Sequence, residues 1–142
     1  MLDEKLLVKE IIIMAYFTGL LQTNLYVKDI NQASKWYQDI LGFTIAADYG
    51  TTVILAFGDS PSYDEGKSGI PVLCLIESKD AETGRNTTHP VLGISKEHCG
   101  DLYNELKKND VEVEESPSHK GHFKFYDSDG NMLEAFCPGI YD

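Results

Sequence analysis

The chain reads as an α+β domain made from two copies of one small βαβββ unit, on three observations. Leu20 to Glu77 runs strand, helix, strands, and His89 to Pro138 repeats that order. Each copy opens with a polar residue five positions before an aliphatic one, Gln22 before Val27 and His89 before Ile94, so Gln22 and His89 hold equivalent places. The length of 142 residues suits one compact domain with a real core. Duplication on this scale puts a ligand site between the copies.

Turn chemistry and periodicity define the elements. Leu20 to Val27 forms the first strand. Asp29 and Asn31 stand where a helix cap is expected, Ala33, Trp36, Tyr37, Ile40 and Leu41 recur at helical spacing, and Gly42 ends the helix before Phe43-Thr44-Ile45. Thr51 to Phe57 and Ile70 to Ile76 read as strands, separated by a Gly/Ser/Pro/Asp-rich loop over Gly58 to Gly69 that is a candidate cover for a pocket. In the second copy Thr88 to Ser95 is a strand, Glu97 to Leu106 a helix and Asp110 to Val113 a strand. Gly121 to Tyr126 and Met132 to Cys137 form a hairpin around Asp127-Ser128-Asp129-Gly130-Asn131, where Asp-Gly-Asn readily adopts positive φ. The expected organisation is an extension over 1–19, one domain over 20–138 with modules at 20–78 and 88–138 and a polar linker at 79–87, and a tail over 139–142.

A formal net charge of −11 argues against nucleic acid, whose phosphates this surface repels, and leaves a small molecule as the expected partner. Cys74, Cys99 and Cys137 are odd in number and irregularly spaced, which fits reduced thiols in a cytoplasmic protein. The apolar run Glu10 to Phe17 is too short to span a bilayer, and Asp3, Glu4 and Glu10 outweigh Lys5 and Lys9, unlike a secretory signal. Two readings of 1–19 stay open: a short helix docking its Ile face on the body or on a partner chain, and an upstream extension of a chain whose start is Met14.

Strand alternation sorts the residues by face. Leu25 and Val27, Leu92 and Ile94, and Leu133 and Ala135 share the parity that packs on the helices. The opposite parity carries Gln22, Asn24 and Tyr26, then His89 and Val91, then Met132, Glu134 and Phe136, which would line a concave face. An amide oxygen, an imidazole and a carboxylate converging there would suit Zn²⁺, Ni²⁺, Mn²⁺ or Fe²⁺. Without a metal, a buried Glu134 needs another partner or a proton.

The chain resembles the vicinal oxygen chelate superfamily, which includes glyoxalase I, bleomycin and fosfomycin resistance proteins and extradiol dioxygenases. The resemblance runs over roughly Leu20 to Pro138. It rests on Leu25-Tyr26-Val27-Lys28-Asp29-Ile30, on Trp36-Tyr37 followed by Leu41-Gly42-Phe43, and above all on Phe125-Tyr126-Asp127-Ser128-Asp129-Gly130-Asn131-Met132-Leu133-Glu134, similar to the family ending F-x-D-P-D-G-N-x-x-E. It implies paired modules whose eight strands form a mixed sheet curled around a cleft, metal ligands at Gln22, His89 and Glu134, and a homodimer. The fourth ligand position departs from the pattern: it falls on Cys74 or a neighbour, and Glu77 has the opposite parity.

The function this implies is a glyoxalase-like, divalent-metal-dependent enzyme of lyase or isomerase type, or a dioxygenase, acting on a small oxygen-chelating substrate. Glu134 is its candidate proton carrier, and Asn24, Tyr26, His122, Lys124 and Tyr126 are candidate substrate contacts. The alternative is a metal-free protein of the same fold that sequesters a cationic antibiotic in an acidic, aromatic cleft. Plainer readings accompany each residue. His89 and Gln22 could be ordinary strand residues, His122 with Lys124 and Tyr126 a solvated strand edge, His98 a solvent-facing histidine, Phe57, Phe123 and Phe125 core residues, and Cys74 an apolar filler.

Overall fold

A computed structural model describes residues 16–17, 19–58, 71–80 and 88–142. The expected pocket-covering loop, most of the linker and most of the N-terminal extension lie outside the described residues. The elements run β1 (Gln22–Val27), α1 (Ile30–Leu41), β2 (Thr44–Asp48), β3 (Thr52–Ala56), β4 (Val72–Glu77), β5 (Val91–Gly93), α2 (Cys99–Lys108), β6 (His122–Tyr126) and β7 (Met132–Phe136).

The first module closes as expected from its caps. The Asp29 side chain accepts the Gln32 N–H at 2.9 Å, and Glu77 at the end of β4 accepts the Ile30 N–H at 2.9 Å, so two carboxylates satisfy orphan donors of α1. Gly42 ends the helix at φ 75°, a left-handed conformation that costs glycine little. Beyond it, the strands assemble in the order β1-β4-β3-β2, with β1 and β4 parallel and the other pairs antiparallel.

The second module repeats the parallel pairing, in the order β5-β7-β6. Here the expectation of eight strands in one curled sheet is corrected: among the described residues there are seven strands, in separate sheets of four and three. The Asp110 to Val113 strand is reduced to a single bridge between Val113 and Phe125, flanked by Glu114 N–H to Lys124 C=O and Tyr126 N–H to Glu112 C=O. Asp110 at φ 56° turns the chain into that segment, and Pro117, which has no N–H to offer a ladder, follows it, so pairing has little room to extend. The helix α2 also starts later than Glu97, at Cys99.

One core joins the two modules. Leu25, Val27, Tyr37, Val53, Leu55, Leu73 and Leu75 of the first pack with Leu106, Phe123, Phe125, Leu133 and Ala135 of the second. The expected inward parity of Leu25, Val27, Leu133 and Ala135 is therefore observed, while Leu92 is only partly buried against that core. The strand β3 is buried on both faces: Val53 and Leu55 face the shared core, and Ile54 joins Val72 and Cys74 in a second apolar cluster. Phe57, expected in the core, is instead 37% exposed, with its ring edge-on to Phe43.

The turn between β6 and β7 fastens the modules together. Buried Asp127 accepts the Asp129 and Asn131 N–H groups at 2.9 and 2.8 Å, and the Tyr37 hydroxyl donates to its other oxygen at 2.6 Å. Asn131 Nδ2 donates across to the Tyr26 carbonyl at 2.9 Å, and the Lys28 N–H donates to Asp129 at 3.1 Å. Burial, with the neighbouring Asp127 carboxylate, raises the Tyr37 phenol well above its ordinary value, so it stays a donor. The Asp-Ser-Asp-Gly-Asn motif is thus a clamp on β1 and α1 as well as a turn.

Candidate functional site

Two cavities lie along the seam where β1 faces β5. The larger, of about 510 Å³, is lined by Asn24, Tyr26, Thr88, His89, Val91 and Asn131, among others. The smaller, of about 260 Å³, is more apolar and includes Phe57, Val72, Leu73 and Leu92. Leu20, Thr23, Pro90 and Val91 border both. Alternation along β1 turns Asn24 and Tyr26 outward while Leu25 and Val27 are buried, which leaves polar groups on the cavity side.

His89 lies two residues before β5, and Glu134 is the β7 partner of Val91. Their side chains meet: His89 Nε2 is 2.8 Å from Glu134 Oε1. The other carboxylate oxygen, Oε2, is 2.9 Å from His122 Nε2. On β6 Lys124 stands opposite Glu134 and His122 opposite Phe136, so His122 reaches Glu134 as a diagonal cross-strand neighbour on the same face. The hydrogen bond from His89, with a second from His122, holds the Glu134 carboxyl below its usual range against burial, which pushes it up. Glu134 is therefore an ionised acceptor between two imidazoles.

The remaining candidates make other contacts. Gln22 begins β1 and donates from Nε2 to Asn24 Oδ1 at 2.8 Å. Tyr26 is 48% exposed at the cavity. Lys124 is exposed, with its backbone N–H bound to Glu114, and Tyr126 is half-buried opposite Met132. His98 is solvent-facing, as expected. Cys74 lies beside Asn24 in the β1–β4 register, yet it is buried with Ile54 and Val72, and desolvation raises its thiol pKa. Glu77 points to the α1 N-terminus instead. Neither residue joins His89 and Glu134 in the contacts described above.

Does the donor set fit a divalent ion? Ligand atoms that share a metal at about 2.0–2.2 Å in tetrahedral or octahedral geometry stand about 3 Å apart, close to the separation of His89 Nε2 and Glu134 Oε1. Among the described residues no three His, Cys, Asp or Glu side chains are arranged to hold an ion. A third protein donor would come from outside those residue types, and the Gln22 amide on the same face of β1 is of the right chemistry. The pair fits, and Gln22 would add its amide oxygen, an atom that the Nε2 bond to Asn24 does not use.

His122, a candidate substrate contact with a solvated strand edge as the plainer reading, is the second imidazole on Glu134. The register of the hairpin contained the signal, because the Asp127–Asn131 turn fixes which β6 residues share a face with Glu134. Tyr141, whose hydroxyl is 2.8 Å from His122 Nδ1, had no signal at all.

This is a two-module α+β fold whose candidate site sits beside the seam of the modules. Residues 19–135 match the Glyoxalase/Bleomycin resistance protein/Dioxygenase superfamily, and the chain belongs to it. No curated protein matches the chain. Among solved structures, the fosfomycin resistance protein FosX from Listeria monocytogenes, complexed with Mn(II) and sulfate, aligns with a TM-score of 0.64 at 22% identity, covering 87% of this chain and 93% of that one. The trypanothione-dependent glyoxalase I of Leishmania major aligns at 0.65 and 20% identity, covering 85% and 87%. A glyoxalase/dioxygenase from Nostoc punctiforme aligns at 0.66 and 16% identity, covering 88% and 95%. Among the described residues no helix is long and apolar enough to cross a membrane.

Proposed function

We propose that the protein is a glyoxalase-like, divalent-metal-dependent enzyme acting on a small substrate that presents two oxygens, with Gln22, His89 and Glu134 as the metal-binding residues. The observation that carries this reading is the 2.8 Å approach of His89 Nε2 to Glu134 Oε1, with His89 on the wall of the larger cavity. A bound Zn²⁺, Ni²⁺, Mn²⁺ or Fe²⁺ supplies Lewis-acid stabilisation of negative charge on substrate oxygen. FosX is recorded with Mn(II), which makes Mn²⁺ the first ion to test.

The chain's own residues divide the remaining work. Asn24 and Tyr26 bind and orient substrate from β1. Glu134, ionised at neutral pH, is the proton carrier, and His122 holds its second oxygen so that the first faces His89. Lys124 and Tyr126, on the same hairpin, are outer substrate contacts. Lyase or isomerase chemistry fits this arrangement of one base beside a chelating centre. The net charge of −11 disfavours a polyanionic thiol cosubstrate. The reading also takes the chain as a cytoplasmic homodimer, whose pairing would cover the sheet edge at β2.

A second reading has its own support. Both Glu134 oxygens already have imidazole partners, and the chain is strongly acidic, which suits a metal-free protein that sequesters a cationic drug. Metal analysis of protein purified without chelator separates the two. Stoichiometric Mn, Ni, Zn or Fe that is lost in Glu134→Ala supports the enzyme. Metal-free protein that takes up no added Mn²⁺ but binds a cationic ligand supports sequestration.

A further inference from the structure

The tail after β7 returns to the site. Tyr141 OH is 2.8 Å from His122 Nδ1 and 2.7 Å from Ser118 Oγ, and the Tyr141 ring lies edge-on to those of His122 and His119. Close packing holds this return in place: Gly121 is buried, and a Cβ there would collide with Ile140, next to Tyr141, and stand 3.2 Å from Cys99. A C-terminal residue is thus fixed against the histidine that holds Glu134.

The direction of these bonds follows from the donors available. A carboxylate can only accept, so across the 2.9 Å contact His122 Nε2 is the donor to Glu134 Oε2. An imidazole that donates from Nε2 alone has a lone pair at Nδ1, and the Tyr141 hydroxyl, 2.8 Å away, is placed to donate to it. That spends the single phenolic proton, so Ser118 donates to the Tyr141 oxygen. The chain runs one way, from Ser118 through Tyr141 and His122 to Glu134.

We propose that Tyr141 is a positioning residue, which fixes His122 in its Nε2–H tautomer and so holds Glu134 Oε2, leaving Oε1 oriented toward His89. This rests on the proposed function only for its consequence in metal binding; the tautomer belongs to the chain itself. Without Tyr141, His122 can place its proton on Nδ1, turn a lone pair toward the carboxylate and release it. Hydrogen-bond partners behind a metal ligand commonly set affinity 10–100-fold.

The test uses the full chain, ¹⁵N-labelled, at pH 8 without metal, with His122 assigned by comparison with His122→Gln. In the wild type the ring should show a protonated Nε2 and an unprotonated Nδ1. Tyr141→Phe, a change at a half-exposed side chain near the C-terminus, should yield a mixture of both tautomers. Mn²⁺ titration supplies the second readout: Tyr141→Phe should weaken binding about 10-fold, and should have no further effect on top of His122→Gln, whose amide can donate to Glu134 unaided. A wild-type His122 protonated at Nδ1, or a tautomer unmoved in Tyr141→Phe, overturns the proposal. If the wild type binds no Mn²⁺, the metal-enzyme reading falls, and the nitrogen spectra still decide the role of Tyr141.

Discussion

His89 and Glu134 are 45 residues apart in sequence, yet His89 Nε2 stands 2.8 Å from Glu134 Oε1 because parallel pairing of β5 with β7 carries one beside the other. The contact gives Glu134 an ionised state inside a partly buried site, where a lone carboxyl would be pushed toward protonation.

That state has a pH signature. The folded carboxyl is held below its ordinary 4.5, so its stabilisation is complete above that value and is lost as pH falls through the lowered one. Each unit of depression corresponds to about 1.4 kcal/mol. Glu134→Gln should therefore show a flatter decline of thermal stability with acidification below about pH 4.5 than the wild type. Melting curves across pH 3 to 7 check this, and parallel curves for the two proteins would contradict it.

Tyr37 and Asp127 make a second buried contact, at 2.6 Å, that ties α1 to the β6–β7 turn. Tyr37→Phe removes the donor and leaves the Asp127 oxygen with only the Asn131 side chain at 3.0 Å. Loss of a hydrogen bond to a charged group costs about 1.5–3 kcal/mol. Urea denaturation should report a destabilisation in that range with little change in the denaturant slope.

Cys74 occupies the position where the resemblance places a fourth ligand, but it is buried in an apolar cluster and its thiol is pushed upward in pKa by desolvation. Cys74→Ala should leave Mn²⁺ affinity within about twofold while costing stability on the order of 1 kcal/mol as a small cavity opens. In native protein all three cysteines, each buried, should react with a thiol reagent only slowly and become fully reactive on unfolding.

Much of this was legible in the sequence because local chemistry and alternation agree. Asp29 and Gly42 bracket α1 as their side-chain oxygen and left-handed backbone require, and the parity of Leu133 and Glu134 sends one to the core and the other to the site. The missing eighth strand was not legible: Val111 and Val113 alternate with acidic residues as a strand would, and only the turn at Asp110 and the bend toward Pro117 curtail the pairing. Phe57 misled because an aromatic at a strand end reads as core, whereas burial there depends on what lies across from it. Tyr141 was out of reach for another reason. Its role comes from a tail folding back over β6, a long-range placement that no local pattern encodes.

Gln22 offers a check on the ligand set. Its Nε2 donates to Asn24 while its amide oxygen is the atom assigned to the metal, so Asn24→Ala should leave Mn²⁺ binding close to that of the wild type, while Gln22→Ala should weaken it. Calorimetric titration of both variants reads the difference, and equal losses in the two would remove Gln22 from the set.

The most direct measurement is calorimetric Mn²⁺ titration of the metal-stripped wild type beside His89→Ala and Glu134→Ala. The wild type should bind one ion per chain, with each variant weaker by at least 10-fold. A wild type that takes up no ion, or variants that bind as it does, would contradict the assignment of His89 and Glu134 as a metal-binding pair.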